Sequence, residues 1–191
     1  MKDKEKTLIH LLSVPIDNGA FKTNIIETKD IVLDRVFRDI CATNACGMYG
    51  NCYMCPPDVG NIDELMAQVA NYDYALVYQT VTELEDSFDF EGMIEAKKKS
   101  YPLAQSFRKV FADMSITKTL HLSAGGCGVC ETCAKRMNEP CLFPEKAMPS
   151  LEAYGVNVSE LAKAAGMKYI NGQDTVTYFG AVLFSVNGER L

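Results

Sequence analysis

Strand-forming runs of apolar residues recur along the chain. Residues 74–81 are rich in β-branched and aromatic side chains and predict a buried strand. Shorter apolar runs at 25–26 and 119–122 predict two further strands. The dipeptide Asn-Gly at 171–172 is a strong hairpin signal, so residues 167–170 and 175–185 are expected to pair as antiparallel strands.

Four other segments have apolar spacings of three and four residues, or capping residues, that predict helices: 31–39, 61–71, 91–114 and 159–165. Asn61 and Ser159 are the predicted N-caps of the second and fourth helices. Pro102 lies inside the third helix and predicts a kink or the start of a second segment. The predicted core-facing stripes are Ile31, Val32, Val36 and Ile40 in the first helix, and Leu103, Phe107, Val110 and Met114 in the third.

These elements predict an α+β fold in which helices pack on a face of a single sheet. The 191 residues fit one domain spanning 1–191, and a composition of 48% hydrophobic and 23% charged residues is that of a globular chain. The net charge of −6 excludes a general nucleic-acid binder, whose phosphate contacts need clustered cations. Apolar runs at 8–16 and 179–186 are too short to span a bilayer, and no secretory signal is recognisable, so the cytoplasm is the expected compartment.

Cysteine changes this picture, because eight cysteines fall into two short windows. We call residues 41–57 the first cysteine segment and residues 125–149 the second cysteine segment. A reducing cytoplasm does not retain structural disulfides, so metal binding is the first explanation. The candidate ligands are Cys41, Cys46, Cys52 and Cys55 in the first segment, and Cys127, Cys130, Cys133 and Cys141 in the second.

The second cysteine segment contains Cys-x2-Cys-x2-Cys from Cys127 to Cys133, the core of the bacterial ferredoxin pattern. Neighbouring glycines allow backbone amides to approach the sulfur atoms of a cluster. Cys141 follows after seven residues, where the ferredoxin pattern has three, so the match is partial. A zinc site made of two Cys-x2-Cys pairs, Cys52/Cys55 and Cys127/Cys130, is the main alternative, although it leaves Cys133 unused.

The first cysteine segment has enough thiols for a second site, with Gly47 and Gly50 between them and a Pro-Pro pair after Cys55. Two assignments stay open. Cys52 is either a ligand or a small buried side chain, and Cys141 belongs either to its own segment or with the first segment. A cluster with only three cysteines would leave one iron free to bind a substrate or water.

The two segments, with the run 140–155, resemble a family of uncharacterised, predicted metal-binding, cysteine-rich proteins of bacteria and archaea. The resemblance covers about 35–185 and implies iron–sulfur or other metal binding, but no established reaction. Met148 stands where the family pattern has Arg, and Cys52 lies where it has Trp or another non-cysteine. The motifs that carry the resemblance are Cys41-x4-Cys46, Tyr49-Gly50, Cys55-Pro56-Pro57, Cys127-x2-Cys130-x2-Cys133 and Pro140-Cys141-Leu142-Phe143-Pro144.

The leading hypothesis is therefore a protein with two [4Fe–4S] clusters that transfers single electrons to or from a redox partner protein. The alternatives are a redox enzyme whose open cluster binds a small substrate, and a zinc-stabilised interaction module. The sequence leaves open whether the protein is an enzyme. An acidic protein with two clusters and an exposed face is also compatible with a homodimer.

Overall fold

The computed structural model describes residues 2–114, 116 and 118–185. Among these residues there are four strands, five α-helices and three short 3-10 turns. The strands are β1 (Lys22–Glu27), β2 (Tyr74–Glu83), β3 (Thr119–Leu122) and β4 (Thr175–Phe184). The helices are α1 (Lys2–Asp17), α2 (Val36–Ala42), α3 (Ile62–Val69), α4 (Phe90–Asp113) and α5 (Val158–Ala164). The 3-10 turns are Thr28–Asp30, Ala134–Met137 and Glu152–Tyr154.

The four strands form one antiparallel sheet in the order β1-β2-β4-β3. β2 and β4 are its centre and pair along their whole length, from Tyr74 opposite Phe184 to Glu83 opposite Thr175. The predicted strands at 25–26, 74–81 and 119–122 are confirmed as parts of β1, β2 and β3.

Side chains of β2 are buried on both faces of the sheet. Ala75 and Val77 face a core that includes residues of α3 and α5. Leu76 and Tyr78 face a second core, which includes residues of α1 and α4. Successive strand side chains point to opposite faces, so a strand that is apolar at every position needs cover on both. The predicted α+β class and single sheet are confirmed, with helices on two faces rather than one.

The first predicted helix begins later than expected. Its early residues continue in extended form: Leu33 pairs with Val156 as an isolated β-bridge, and the amide of Asp34 donates to the carbonyl of Gly155 at 2.7 Å. Helix α2 therefore starts only at Val36. Of the predicted apolar stripe, Ile31 is buried, whereas Val32, Val36 and Ile40 are 46%, 44% and 56% exposed.

The predicted C-terminal hairpin is wrong. Residues 167–170 form no strand, and β4 pairs with β2 and β3 instead. The Asn-Gly signal marks a turn, in which Gly172 has φ 138° and Asp174 has φ 53° before β4 begins. The cap of α5 also differs, since the side chain of Asn157, not Ser159, accepts a hydrogen bond from the amide of Glu160 at 3.2 Å.

Two further features complete the frame. α1 is a helix that the sequence patterns did not predict; its Leu11 and Val14 are buried against the sheet. α4 runs unbroken through Pro102. Among the described helices, none has both the length and the apolar content that a bilayer crossing requires. A single domain over 1–191 stays a prediction, and residues 1 and 186–191 lie outside the described residues.

Candidate metal centre

The second cysteine segment is a long loop that is closed at its base. Ser123, just after β3, donates from its amide to the carbonyl of Pro149 and accepts from the amide of Leu151, both at 3.0 Å. Through these two bonds, the chain at Pro149 and Leu151 returns to Ser123, directly after the end of β3. The segment from 125 to 149 therefore projects from the end of β3 as a loop with fixed ends.

One face of α4 supports this loop from behind. The hydroxyl of Tyr101 donates to the carbonyl of Gly126 at 3.0 Å, and the amide nitrogen of Gln105 donates to the carbonyl of Lys146 at 2.8 Å. The guanidinium of Arg108 donates to the carbonyl of Ala147 at 3.0 Å. Residues spaced by four and three lie on the same side of a helix, so α4 contacts both limbs of the loop.

The glycine-rich start of the loop lies very close to its neighbours. A Cβ atom on Gly128 would lie 1.9 Å from ring carbons of Tyr101. A Cβ atom on Gly126 would meet the side chain of Met48 at 3.1 Å and the sulfur of Cys55 at 3.4 Å. Glycine at these two positions lets the backbone fit between α4 and the first cysteine segment.

The first cysteine segment is a series of tight turns after α2. Cys41 lies in the last turn of α2, and Gly47 and Gly50 both have positive φ, at 71° and 68°. The amide of Gly50 donates to the carbonyl of Pro56 at 2.8 Å, which folds the segment back on itself. The turns therefore gather Cys41, Cys46 and Cys55 around one space.

Polar contacts hold the two segments against each other. The hydroxyl of Tyr53 donates to the carbonyl of Glu139 at 2.7 Å. The ammonium of Lys135 pairs with the carboxylate of Asp58 and lies 5.3 Å from the ring centroid of Tyr53. In the sequence, 71 residues lie between Cys55 and Cys127, yet these contacts bring the two segments together.

The structure divides the eight cysteines into a group of three and a group of five. The first cysteine group consists of Cys41, Cys46 and Cys55, which line a cavity of about 210 Å³. Phe37, Ile40, Met48 and Pro56 make most of the remaining wall apolar, and Gly125 and Gly126 are contributed by the second segment. In this group Cys46 is exposed, Cys41 is half-buried and Cys55 is buried.

The second cysteine group consists of Cys52, Cys127, Cys130, Cys133 and Cys141, and the opening between these residues is about 20 Å³. All eight cysteines lie in the described part of the chain and are free thiols. The first cavity has room between its thiols, whereas the thiols of the second group enclose much less space.

This grouping bears on the alternatives left open by the sequence. Cys141 lies with the other cysteines of its own segment and not with Cys41, Cys46 and Cys55. Cys52 and Cys55, one of the two Cys-x2-Cys pairs proposed for zinc, line different cavities although their thiols are in contact. Cys52 is 1% exposed and is in hydrogen-bonding contact with the thiols of both Cys55 and Cys133. It therefore lies between the two groups.

Thiol pKa values follow from burial and local charge. Burial raises the pKa of Cys41, and the neighbouring Glu152 carboxylate adds to the effect while Arg38 opposes it. Burial also raises the pKa of Cys127, against hydrogen bonds from the backbone amides of Val129 and Met148. The hydrogen bond between the thiols of Cys52 and Cys55 lowers the pKa of Cys52 and raises the pKa of Cys55. Because a metal binds the thiolate, loading either group releases protons and is favoured at higher pH.

Three charged residues beside the groups did not stand out in the sequence as metal-site residues. The guanidinium of Arg38 lies near Cys41, that of Arg108 lies near Cys127, and each has a buried Nε atom without a partner among the described residues. Glu152 lines the first cavity. The spacing of Tyr101, Gln105 and Arg108 by four and three residues is the one sequence signal for the face of α4 that supports the loop. The same spacing occurs on ordinary solvent-exposed helices, so it did not identify these residues.

Taken as a donor set, the two groups suit a soft metal, because thiolates select iron–sulfur clusters, zinc and copper(I). In the described part of the chain, no three His, Cys, Asp or Glu side chains converge as ligands of one metal ion. The cysteines of the first group stand instead around a cavity. That arrangement fits an inorganic core of several atoms with thiolates at its edges.

A comparison with protein families agrees with the donor set. A family model described as "Predicted metal-binding protein (DUF2284)" matches residues 24–184. No curated protein and no solved structure matches the chain. The match covers most of the sequence and both cysteine segments, so the chain belongs to this predicted metal-binding family, which confirms the resemblance seen in its motifs.

Proposed function

We propose that this member of the predicted metal-binding family holds two [4Fe–4S] clusters and transfers single electrons to or from a redox partner protein. Cys127, Cys130, Cys133 and Cys141 hold one cluster, and the first cysteine group holds the other. The observation that carries the proposal is the sorting of eight free thiols into two adjacent groups on one face. The clusters supply the one-electron chemistry, and the chain supplies their ligands and surroundings.

The surroundings of both groups support anionic clusters. Arg38 lies near the first group and Arg108 near the second, and a positive charge there favours the reduced, more negative state. Backbone amides of Val129 and Met148 already donate to the sulfur of Cys127. Hydrogen bonds of this kind raise the reduction potential of a cluster.

Exposure of the first group supports electron exchange with a partner protein. Cys46 is exposed, and Ile40 and Leu142 add apolar surface beside the two groups at 56% and 61% exposure. The core of a protein–protein interface is depleted in charged residues, and the apolar side chains of Ile40 and Leu142 give this surface the same character. A reducing compartment, the cytoplasm, is part of the proposal because the thiols must stay unoxidised.

The test is anaerobic purification and reconstitution with iron and sulfide, followed by metal analysis. We expect about eight irons and about eight sulfides per chain, the content of two cubes. Reduction should produce two electron paramagnetic resonance signals, and a potentiometric titration should resolve two one-electron steps. A colourless protein that binds zinc in preference to iron would overturn the proposal in favour of a zinc-stabilised interaction module.

Electron transfer needs its own measurement. The reduced protein should donate electrons rapidly to a one-electron acceptor dye, at a rate that falls when either group loses its cluster. Cys130→Ala and Cys46→Ala provide the two single-centre proteins for this comparison. An unchanged rate in both variants would contradict transfer through the clusters.

A second candidate function is a redox enzyme with an open cluster. The first cavity favours it, since three cysteines there leave one iron of a cube without a thiolate and the cavity has room for a small molecule. Cyanide is a suitable probe of an exchangeable iron position. A change in the resonance signal of the first centre alone would support this candidate, and an unchanged signal would oppose it.

A further inference from the structure

One carboxylate belongs to the wall of the first cavity. Glu152 lines this cavity together with Cys41, Cys46 and Cys55. Its Oε2 atom is buried and has no hydrogen-bond partner among the described residues. A buried carboxylate oxygen without a donor or cation is costly, so this position favours a positively charged partner.

Hydrogen bonds fix the turn that carries this carboxylate. The amide of Ala153 donates to the hydroxyl of Ser150 at 3.0 Å, and the hydroxyl of Tyr154 donates to the side chain of Gln68 at 3.1 Å. The next residue, Gly155, accepts from the amide of Asp34 at 2.7 Å, just before α2. The turn therefore lies against both α2 and α3, which places Glu152 beside Cys41 at the end of α2.

We propose that Glu152 is the fourth protein ligand of the metal centre in the first cysteine group, bound through Oε2. This inference rests on the proposed function, because it assumes that Cys41, Cys46 and Cys55 hold a cluster. A carboxylate carries the same single negative charge as a thiolate, so the exchange keeps the charge of a four-thiolate site. Arg38 lies on the same side and compensates part of that charge.

Cys52 is the competing ligand, and its contacts reach both groups. Its sulfur contacts the thiol of Cys55 in the first group, accepts hydrogen bonds from the backbone amides of Met54 and Cys127, and contacts the thiol of Cys133. It lines the second cavity, not the first. Serving the first centre would require its side chain to leave Cys127, Cys133 and that cavity.

An oxygen ligand makes one iron distinguishable. Carboxylate oxygen is a harder ligand than thiolate sulfur, so the iron bound to Glu152 should differ electronically from thiolate-bound irons. Mössbauer spectroscopy of protein reconstituted with ⁵⁷Fe reads this difference without any activity assay. We expect about one iron in eight to give a separate signal, from two cubes with one such position.

The test compares four variants under the same anaerobic conditions. Glu152→Cys should keep the full iron content and lose the separate signal, because all positions become thiolate-bound. Glu152→Gln should lose between one iron and the whole first centre, since a neutral amide binds iron poorly. The second centre is the internal control for folding, and Glu64→Gln, at an exposed carboxylate on α3, should match the unaltered protein.

The outcomes separate this inference from the proposed function. Two clusters in the unaltered protein, with Glu152→Gln and Glu152→Cys unchanged in iron content and spectrum, would overturn the role of Glu152 alone. Loss of the first centre in Cys52→Ser, but not in Glu152→Gln, would assign the position to Cys52 instead. Bound zinc and no iron in the unaltered protein would overturn both proposals.

Discussion

The two cysteine groups differ in opposite ways. The first has three thiols around a cavity of about 210 Å³, whereas the second has five thiols around an opening of about 20 Å³. One group has room but is short of thiolates, and the other has a surplus of thiolates and little room. This contrast indicates that the first group is the one suited to meet ligands from outside the chain.

Their supports differ in the same sense. The loop of the second group is bonded to Tyr101, Gln105 and Arg108 on one long helix. The first group follows α2, a short helix with no buried side chain, and it includes the exposed Cys46. The second group therefore has the more rigid frame, and the first has the more accessible one.

The largest effect is expected when one centre at a time is removed. Cys46→Ala should remove the first centre and Cys130→Ala the second, each with a loss of about half of the iron, because each cube needs its own thiolates. Iron analysis and resonance spectra of the anaerobic proteins measure the loss. Loss of all iron in both variants would mean that the eight cysteines hold one joint centre.

A substitution in the glycine-rich start of the loop should have the next largest effect. Gly128→Ala places a Cβ atom 1.9 Å from the ring of Tyr101, so the loop or α4 must move, with an expected loss of about 3 kcal/mol in unfolding free energy. Gly126→Ala is the matched control, since its Cβ atom would lie 3.1 Å from the terminal methyl carbon of Met48, a flexible side chain. Chemical denaturation measures both, and equal losses would contradict a rigid fit of Gly128 against α4.

Much of the fold followed from the sequence where one signal dominated. The buried run of β2 and the long apolar stripe of α4 each determined an element, because burial on the sheet and helical periodicity agree there. The Asn-Gly signal misled, because Tyr169 and Ile170 before it have no strand to pair with and instead lead into a turn. α1 was missed because its first residues are charged and contribute no apolar stripe.

The sequence predicts the candidate ligands but not how the structure groups them. Spacing singles out all eight cysteines as candidate ligands, because in a reducing compartment clustered thiols favour metal binding over disulfides. It could not place Cys52 with the second segment, because Cys52 and Cys55 occupy one tight turn with their thiols in contact, and only the fold shows that they line different cavities. Glu152 lies more than 90 positions from the three cysteines whose cavity it lines, which no local pattern reveals.

Acid should lower the free energy of unfolding, because a buried histidine lies on β3, the strand that leads into the second cysteine segment. Burial, aided by the charge of Arg108, lowers the pKa of His121 on β3 to about 4. Because the unfolded histidine has a pKa near 6.5, the unfolded chain binds more protons between these values, and stability falls as pH decreases through that window. We expect a loss of about 1 kcal/mol between about pH 7 and about pH 5.5.

Urea denaturation at the two pH values measures this loss. His121→Gln removes the titrating ring and should make most of the difference between the two pH values disappear. Retention of the full pH dependence in this variant would assign it to other groups.

The smallest expected effect distinguishes the two centres by charge. Arg108→Gln should lower the reduction potential of the second centre, and Arg38→Gln that of the first, because each removes a positive charge beside one group. A tenfold change in the one-electron equilibrium is about 59 mV, and we expect shifts of that order or smaller. Lys109→Gln on the exposed face of α4 is the control. Equal shifts of both potentials in each variant would contradict separate centres.

The turn between Cys52 and Cys55 has a consequence for how this chain can vary in length. The amide of Cys55 donates to the carbonyl of Cys52 at 3.0 Å, and the two thiols belong to different groups. One residue inserted between them would swing one sulfur out of place and alter both groups together. Five of the seven residues between Cys133 and Cys141 are exposed, so an insertion there displaces less buried structure. Relatives that keep both groups should therefore differ in length at the second position and not at the first.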